Sequence, residues 1–243
     1  MDIIKNFYGE IDRDKTDESV EDSNFRKILK LFEKSENARF LDIGCYDGSK
    51  TVMIRNFTGA EAYGVDFLPD RLALAKERGI KVKTADLNKG QKIDFIDEFF
   101  DFIFCGDVIE HLFSPDFLLE EIYRLLKPGG YAVITTPNLA TWKNRVSLLF
   151  GWQPVHTEVS TKYRVGNPRL PKGPPSGHIR LFTPRALKEL VEAYGFVVEI
   201  IRGEIVPADS PILIERFTGI IDRILLHLRS SMCDKIVVKI RKP

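Results

Sequence analysis

The chain has little cysteine: only Cys45, Cys105 and Cys233 among 243 residues. That is too few for a disulfide scaffold, and no pair has zinc-type spacing. Free thiols in a reduced, cytoplasmic compartment are therefore expected. Long hydrophobic runs are also missing, and no stretch approaches the ~18 apolar residues of a membrane-spanning helix. The opening residues, Met1-Asp2-Ile3-Ile4-Lys5-Asn6, run into an acidic stretch from Asp12 to Asp22 and do not read as a signal peptide. Net charge is nearly absent, with 36 Lys and Arg against 35 Asp and Glu, or +1, and a pI near 7.7. That balance excludes nucleic-acid binding through bulk charge. What remains is an ordinary globular composition, 44% apolar and 29% charged, long enough to bury one large core.

Residues 1–37 read as a polar leader and then a helix, with Phe25, Ile28, Leu29 and Phe32 on one face. A single domain is expected over 38–243. Strands are predicted at Arg39–Ile43, Glu61–Val65, Ile80–Thr84, Phe100–Phe104 and Tyr131–Thr135. Helical segments lie between them, and Lys127-Pro128-Gly129-Gly130 is read as closing the helix that Pro115 opens. Beyond Pro137 come a short helix from Asn138 to Trp152, a Pro- and Gly-rich loop, and a helix from Thr183 to Tyr194. Strands at Phe196–Ile201 and Lys235–Ile240 complete the pattern, with an amphipathic helix at about 211–229 between them. The alternation predicts an α/β fold: a Rossmann-like, doubly wound, mostly parallel seven-stranded sheet, helices on both faces, the last strand antiparallel.

Ligands in such sheets sit outside the carboxyl ends of the strands. The first strand runs into Asp42-Ile43-Gly44-Cys45-Tyr46-Asp47-Gly48, a Gly-rich turn that lets a ligand approach the backbone at a helix start. Its glycines are spaced G-x-x-x-G, not G-x-G-x-x-G, and Asp47 inside the turn would repel a phosphate. No lysine stands where a P-loop needs one. A nicotinamide-dependent oxidoreductase is thereby disfavoured but stays an alternative. Asp42, Asp66, Asp86, Asp107 and Glu110 all fall at or just past strand ends, and so acidic a crevice suits a cationic ligand with hydroxyls and an amine. S-adenosylmethionine has those groups and no phosphate. Asp66 is placed for the ribose hydroxyls and Asp86 for the adenine amine, with Phe67 and Leu87 on either side of the adenine ring.

The segments Phe40-Leu41-Asp42-Ile43-Gly44-Cys45, Gly64-Val65-Asp66, Ala85-Asp86-Leu87, Val108-Ile109-Glu110-His111-Leu112 and Arg124 to Gly130 follow in order. As a set they resemble the class I S-adenosylmethionine-dependent methyltransferases. Glu110-His111-Leu112, Thr136-Pro137-Asn138 and Gly177-His178-Ile179-Arg180-Leu181-Phe182-Thr183 look most similar to the branch with quinone O-methyltransferases and methionine-biosynthesis W-type proteins. The likeness covers roughly residues 38–202. It implies methyl transfer from S-adenosylmethionine, leaving S-adenosylhomocysteine, to a small-molecule acceptor, most readily at oxygen. Asp42, Ile43, Gly44, Cys45 and Gly48 would hold the methionine part, with Cys105, Gly106 and Asp107 as further cofactor contacts. One departure is Tyr46, where the family's turn carries a glycine. It leaves open a non-catalytic cofactor-binding module that regulates a partner.

An oxygen acceptor needs a base, and His111 and His178 are the candidates. The spacing of Asp107, Glu110 and His111 fits no firm metal motif, and no metal is expected. Cys45 and Cys105 follow neighbouring strands and are expected to face each other across the cofactor, as small residues more than as a redox pair. The insertion at 138–182 carries Lys162, Arg164, Arg169, Lys172 and Arg180 against Glu158 within Gln153–Leu181, which suits an anionic acceptor under a lid. Phe217, Ile220, Ile221, Ile224, Leu225 and Leu228 form a stripe with Arg216, Arg223 and Arg229 outside it. Such a stripe packs on the chain's own core or in a homodimer, the alternative being peripheral membrane contact.

Overall fold

Short, almost wholly apolar segments bounded by Gly and Asp form the central strands, because a parallel strand is covered on both faces. In the computed structural model, which describes residues 25–168, 174–204 and 230–243, β1 (Arg39–Ile43) pairs in parallel with β2 (Glu61–Asp66) on one side. On the other side it pairs in parallel with β4 (Phe100–Gly106). β3 (Lys81–Thr84) extends the β2 edge in parallel, and β5 (Leu126–Pro137) extends the β4 side. β7 (Lys235–Arg241) then runs antiparallel between β5 and β6 (Val197–Glu204). The order is β3-β2-β1-β4-β5-β7-β6, the expected seven-stranded sheet with an antiparallel last strand.

Both faces are covered. On one, Phe40, Phe102, Phe104 and Tyr131 meet Phe25 and Phe32 from the helical stretch at 25–29 and the turn after it. Ile54 of α1 (Ser49–Thr58) and Ala75 of α2 (Pro69–Glu77) join the same cluster. The Phe40 and Phe102 rings stack at 5.0 Å, and Phe102 stacks on Tyr131 at 5.3 Å. On the opposite face, Leu41, Ile43, Ile103 and Ile134 meet Leu118, Leu119 and Ile122 of α3 (Pro115–Leu125). Leu187 and Val191 of α5 (Pro184–Ala193) complete that layer. Proline opens α2, α3 and α5, with Ser114 and Thr183 accepting cap hydrogen bonds at the last two (3.2 and 3.1 Å).

Two boundaries differ from expectation. β5 begins at Leu126, directly after α3, so Lys127–Gly130 belongs to a strand whose pairing with β4 is irregular between Phe100 and Phe102. Lys127 reaches Asp101 at 2.6 Å across that irregularity. The helix read at Asn138–Trp152 is the shorter α4 (Trp142–Leu149), capped by Thr141. Asn138 is held outside it, its side-chain amide donating to the carbonyls of Ser231 and Cys233 at 2.9 and 2.7 Å. The amphipathic helix near 211–229, with Arg216, Arg223 and Arg229, lies outside the described residues, as do residues 1–24, Arg169 and Lys172. Among the described residues no helix is long and apolar enough to cross a membrane.

Candidate active site

The strand order reverses between β1 and β4, which opens a crevice beyond their carboxyl ends. Its first wall is the turn into α1. Gly44 and Gly48 both have φ near +78°, and a Cβ on Gly44 would sit 2.4 Å from Val108 Cγ2. One on Gly48 would meet Ile80 Cδ1 at 2.3 Å and the Ala75 backbone at 3.2 Å. Only glycine fits either place. Tyr46 is left-handed too, at φ 50°, and its ring lies 4.7 Å from the Arg71 guanidinium of α2.

Asp66 joins this turn to the next. Its carboxylate accepts from the Tyr46 N–H and the Leu68 N–H, both at 3.0 Å, while burial raises its pKa against those bonds. Each oxygen still has a lone pair to offer a ligand hydroxyl. Asp86 caps the turn Leu87–Lys89, accepting from the Asn88 N–H at 3.2 Å and pairing with Lys89 at 3.0 Å. Asp47 accepts from Ser49 at the start of α1 and pairs with Arg78 at 3.0 Å. Asp42 departs from the rim position read for it. It is 2% exposed, accepts from Thr51 Oγ1 at 2.6 Å inside the β1–α1 contact, and is pushed up to about 7 by burial.

The second wall follows β4. Gly106 pairs with Thr135, and Asp107 (φ 57°) accepts from Thr135 Oγ1 at 3.3 Å and from Lys235 Nζ at 2.6 Å. Burial alone would raise Asp107, but Lys235 and Lys50 hold it well below the usual carboxylate range. Glu110, fully buried, accepts from Thr136 Oγ1 at 2.9 Å and is pushed up to about 8 by burial, then by Asp107. His111 Nδ1 bonds the Gly177 carbonyl at 3.0 Å, and since a carbonyl only accepts, the proton sits on Nδ1. His111 Nε2 then faces Glu110 Oε1 at 4.0 Å, with the His178 ring 4.8 Å from the His111 ring.

The methyltransferase domain family model matches residues 17–200. This chain belongs to that methyltransferase family. A demethylmenaquinone methyltransferase of Listeria welshimeri is 31% identical over 139 residues, covering 51% of this chain and 57% of that protein. The chain thus spans little more than half the length of that curated relative. Among solved structures, a SAM-dependent methyltransferase of Thermotoga maritima superposes with TM-score 0.66 over 99% of this chain and 98% of that one, at 17% identity. A phosphoethanolamine N-methyltransferase of Haemonchus contortus, solved with S-adenosylmethionine, gives 0.61 over 91% and 52%, at 19% identity. The fold is the one these proteins share, and the class I S-adenosylmethionine-dependent assignment drawn from the motifs stands.

In this family member the segment after the insertion lies across the turn that carries His111. Ile179 N–H and Arg180 N–H both donate to the Glu110 carbonyl, at 2.8 and 3.1 Å. Glu158, read as a lone acid among cations, instead gathers the backbone N–H groups of Ser176, Gly177 (2.7 Å) and His178 (3.2 Å). Of the described loop cations, Arg164 donates to Ser176 Oγ at 2.9 Å and Arg180 to the Phe113 carbonyl at 2.6 Å, and Lys162 is exposed. His178 is pushed down to about 3 by burial and the His111 and His156 imidazoles, so it is a far poorer base than the sequence reading allowed.

The two thiols do not face each other. Cys45 Sγ lies over Gly64 beside Ile80, on the α1 face, whereas Cys105 packs among Ile43 and Ile134 on the α3 face. Cys45 lies beyond the strand, between two left-handed residues, so strand alternation no longer sets its side. Burial pushes both thiols up, away from redox reactivity. Sequence reasoning missed Lys235, Thr136, His156 and Asn88, whose amide bridges the His111 carbonyl (3.1 Å) and the Phe113 N–H (2.7 Å). They come from distant segments, and no local spacing signals them.

Proposed function

We propose that this protein transfers the methyl group of S-adenosylmethionine to an oxygen of a small-molecule acceptor. The Asp66 carboxylate supports the cofactor half of that reading: it is held against the Tyr46 and Leu68 N–H groups beside the tight Gly44–Gly48 turn, with a lone pair on each oxygen left for a ligand hydroxyl. When bound, S-adenosylmethionine supplies a methyl carbon on a cationic sulfur. Asp66 would take the ribose hydroxyls, and Asp86 with Phe67 and Leu87 the adenine. Gly44, Cys45 and Gly48 would lie along the methionine part, with Gly106 and Asp107 opposite.

The observation that carries the acceptor half is the His111 imidazole, fixed through Nδ1 by Gly177 and directed through Nε2 at a buried carboxyl. A hydroxyl must lose a proton as it attacks, whereas a neutral amine needs no base beforehand, so an oriented imidazole favours oxygen. With the cofactor bound, the acceptor oxygen would take the methyl group, sulfur would keep the electron pair of the broken bond, and His111 would take the hydroxyl proton. Positioning contributes most of the rate, about 7–11 kcal/mol for well-aligned partners. The acceptor class is approached through anionic hydroxyl compounds first, because Arg164 and Lys162 lie on the insertion whose 177–180 end crosses the His111 turn.

The test is a methyl-transfer assay on a panel of hydroxyl and amine acceptors, with His111→Ala beside wild type. Loss of a base lowers kcat/KM for hydroxyl acceptors by roughly 10²–10⁴-fold, with cofactor affinity unchanged. Turnover of amines only, or an unaffected variant, overturns the oxygen reading. Cofactor binding without turnover of any acceptor turns the reading toward a regulatory module.

A further inference from the structure

We propose that Glu110, His111 and His178 bind a divalent transition-metal ion, which holds and activates the acceptor oxygen. The inference rests on the acceptor side of the function proposed above. One potential ligand atom from each of the three side chains lies within 4.8 Å of the others. Ligands about 2.0–2.2 Å from a common ion stand some 3–4 Å apart, so small side-chain rotations close the set.

Two of the atoms are otherwise unexplained. Glu110 Oε1 and His178 Nδ1 are buried and have no hydrogen-bond partner among the described residues. Leaving a buried polar atom unpaired costs about 1–3 kcal/mol, and both of these belong to side chains whose ligand atoms gather with one of His111 within 4.8 Å. Glu110 is itself 0% exposed, an expensive place for a carboxyl that does only half its bonding.

The surroundings are built as a metal site's surroundings are. Metal-bound imidazoles give their other ring nitrogen to a carbonyl or carboxylate, and ligating carboxylates are hydrogen-bonded in turn. His111 Nδ1 is on the Gly177 carbonyl at 3.0 Å, and Glu110 Oε2 takes the Thr136 hydroxyl at 2.9 Å. Glu158 clamps the backbone of 176–178 and so fixes where His178 stands. Two imidazoles and one carboxylate suit zinc or iron(II) over magnesium or calcium and leave coordination positions open for an acceptor. An acceptor hydroxyl bound there releases its proton to water, and its oxygen pair attacks the methyl carbon as before. His111 takes the proton only in the ion-free protein; with the ion bound it is a ligand.

Spacing along the chain hid this set, because His178 arrives through the insertion 67 positions after His111 (178 − 111). The test uses untagged full-length protein, stripped with a chelator and titrated with zinc against a chromogenic competitor, then with cobalt, which reports coordination by its visible spectrum. Wild type is expected to take one ion per chain with a four- or five-coordinate cobalt spectrum. His178→Ala and Glu110→Gln should abolish that spectrum while S-adenosylmethionine still binds, and Thr136→Val should weaken zinc by roughly 10–100-fold. Wild-type zinc affinity no better than that of His178→Ala overturns the proposal. Failure of wild type to bind S-adenosylmethionine, with zinc still bound by these three residues, defeats the functional reading and not the metal site.

Discussion

Asp42→Asn should make the protein more stable at pH 8 and leave it nearly unchanged at pH 4. Asp42 is 2% exposed and accepts one strong bond from Thr51 Oγ1, which an asparagine carbonyl can also accept. Burial raises its carboxyl from 3.8 to about 7, against the lowering effects of Thr51 and Lys50. At about 1.4 kcal/mol per pH unit, ionising it inside the fold costs on the order of 4 kcal/mol more than in the unfolded chain. The raised value means the folded state binds the extra proton, so this contribution is fully present below pH 4 and is lost as pH rises through about 7. Asparagine does not ionise, and above pH 7 it avoids the penalty. With about 2–4 °C per kcal/mol for a chain of this size, the variant's Tm should lead by about 10 °C at pH 8. Thermal unfolding of both proteins from pH 4 to 8 measures the gap. A gap that does not change with pH, or an asparagine variant less stable at pH 8, would refute the reasoning.

Two further perturbations probe the turn and the insertion. Gly48→Ala places a Cβ at φ 79°, 2.3 Å from Ile80 Cδ1, and should cost about 1–3 kcal/mol or more. Thermal unfolding with and without S-adenosylmethionine will read both that loss and the weaker stabilisation by ligand. Glu158→Ala removes the acceptor for three backbone N–H groups, each about 0.5–1.5 kcal/mol net. The expected result is a higher KM for the acceptor with cofactor affinity unchanged, together with faster hydrogen exchange confined to 174–180.

The crevice beyond the strand ends was legible because its logic is local. A strand that ends in Asp or Gly displays that residue at the crevice rim, and the sheet order follows from five strand–helix repeats and the handedness of their crossovers. Asp66 and the two turn glycines needed no distant partner to be placed. The acceptor side was not legible, since it is assembled by contact between separate segments: Thr136 on β5, Lys235 on β7, and Gly177–Arg180 laid across the Glu110 carbonyl. Cys45 and Asp42 went astray for related reasons. One lies past the end of strand alternation, and the other turns its carboxyl under α1 to Thr51. The continuation of β5 back to Leu126 was hidden by Pro128-Gly129-Gly130, which reads as a turn and here sits within an irregular strand edge.

The central claim is that the crevice beyond β1, β2 and β4 holds S-adenosylmethionine through Asp66. Calorimetric titration of wild type and Asp66→Ala with S-adenosylmethionine, S-adenosylhomocysteine and NADH tests it most directly. Saturable one-to-one binding of both adenosyl ligands, lost in Asp66→Ala and absent for NADH, is the result expected. Binding of NADH, or adenosyl ligands held as tightly by Asp66→Ala as by wild type, would contradict it.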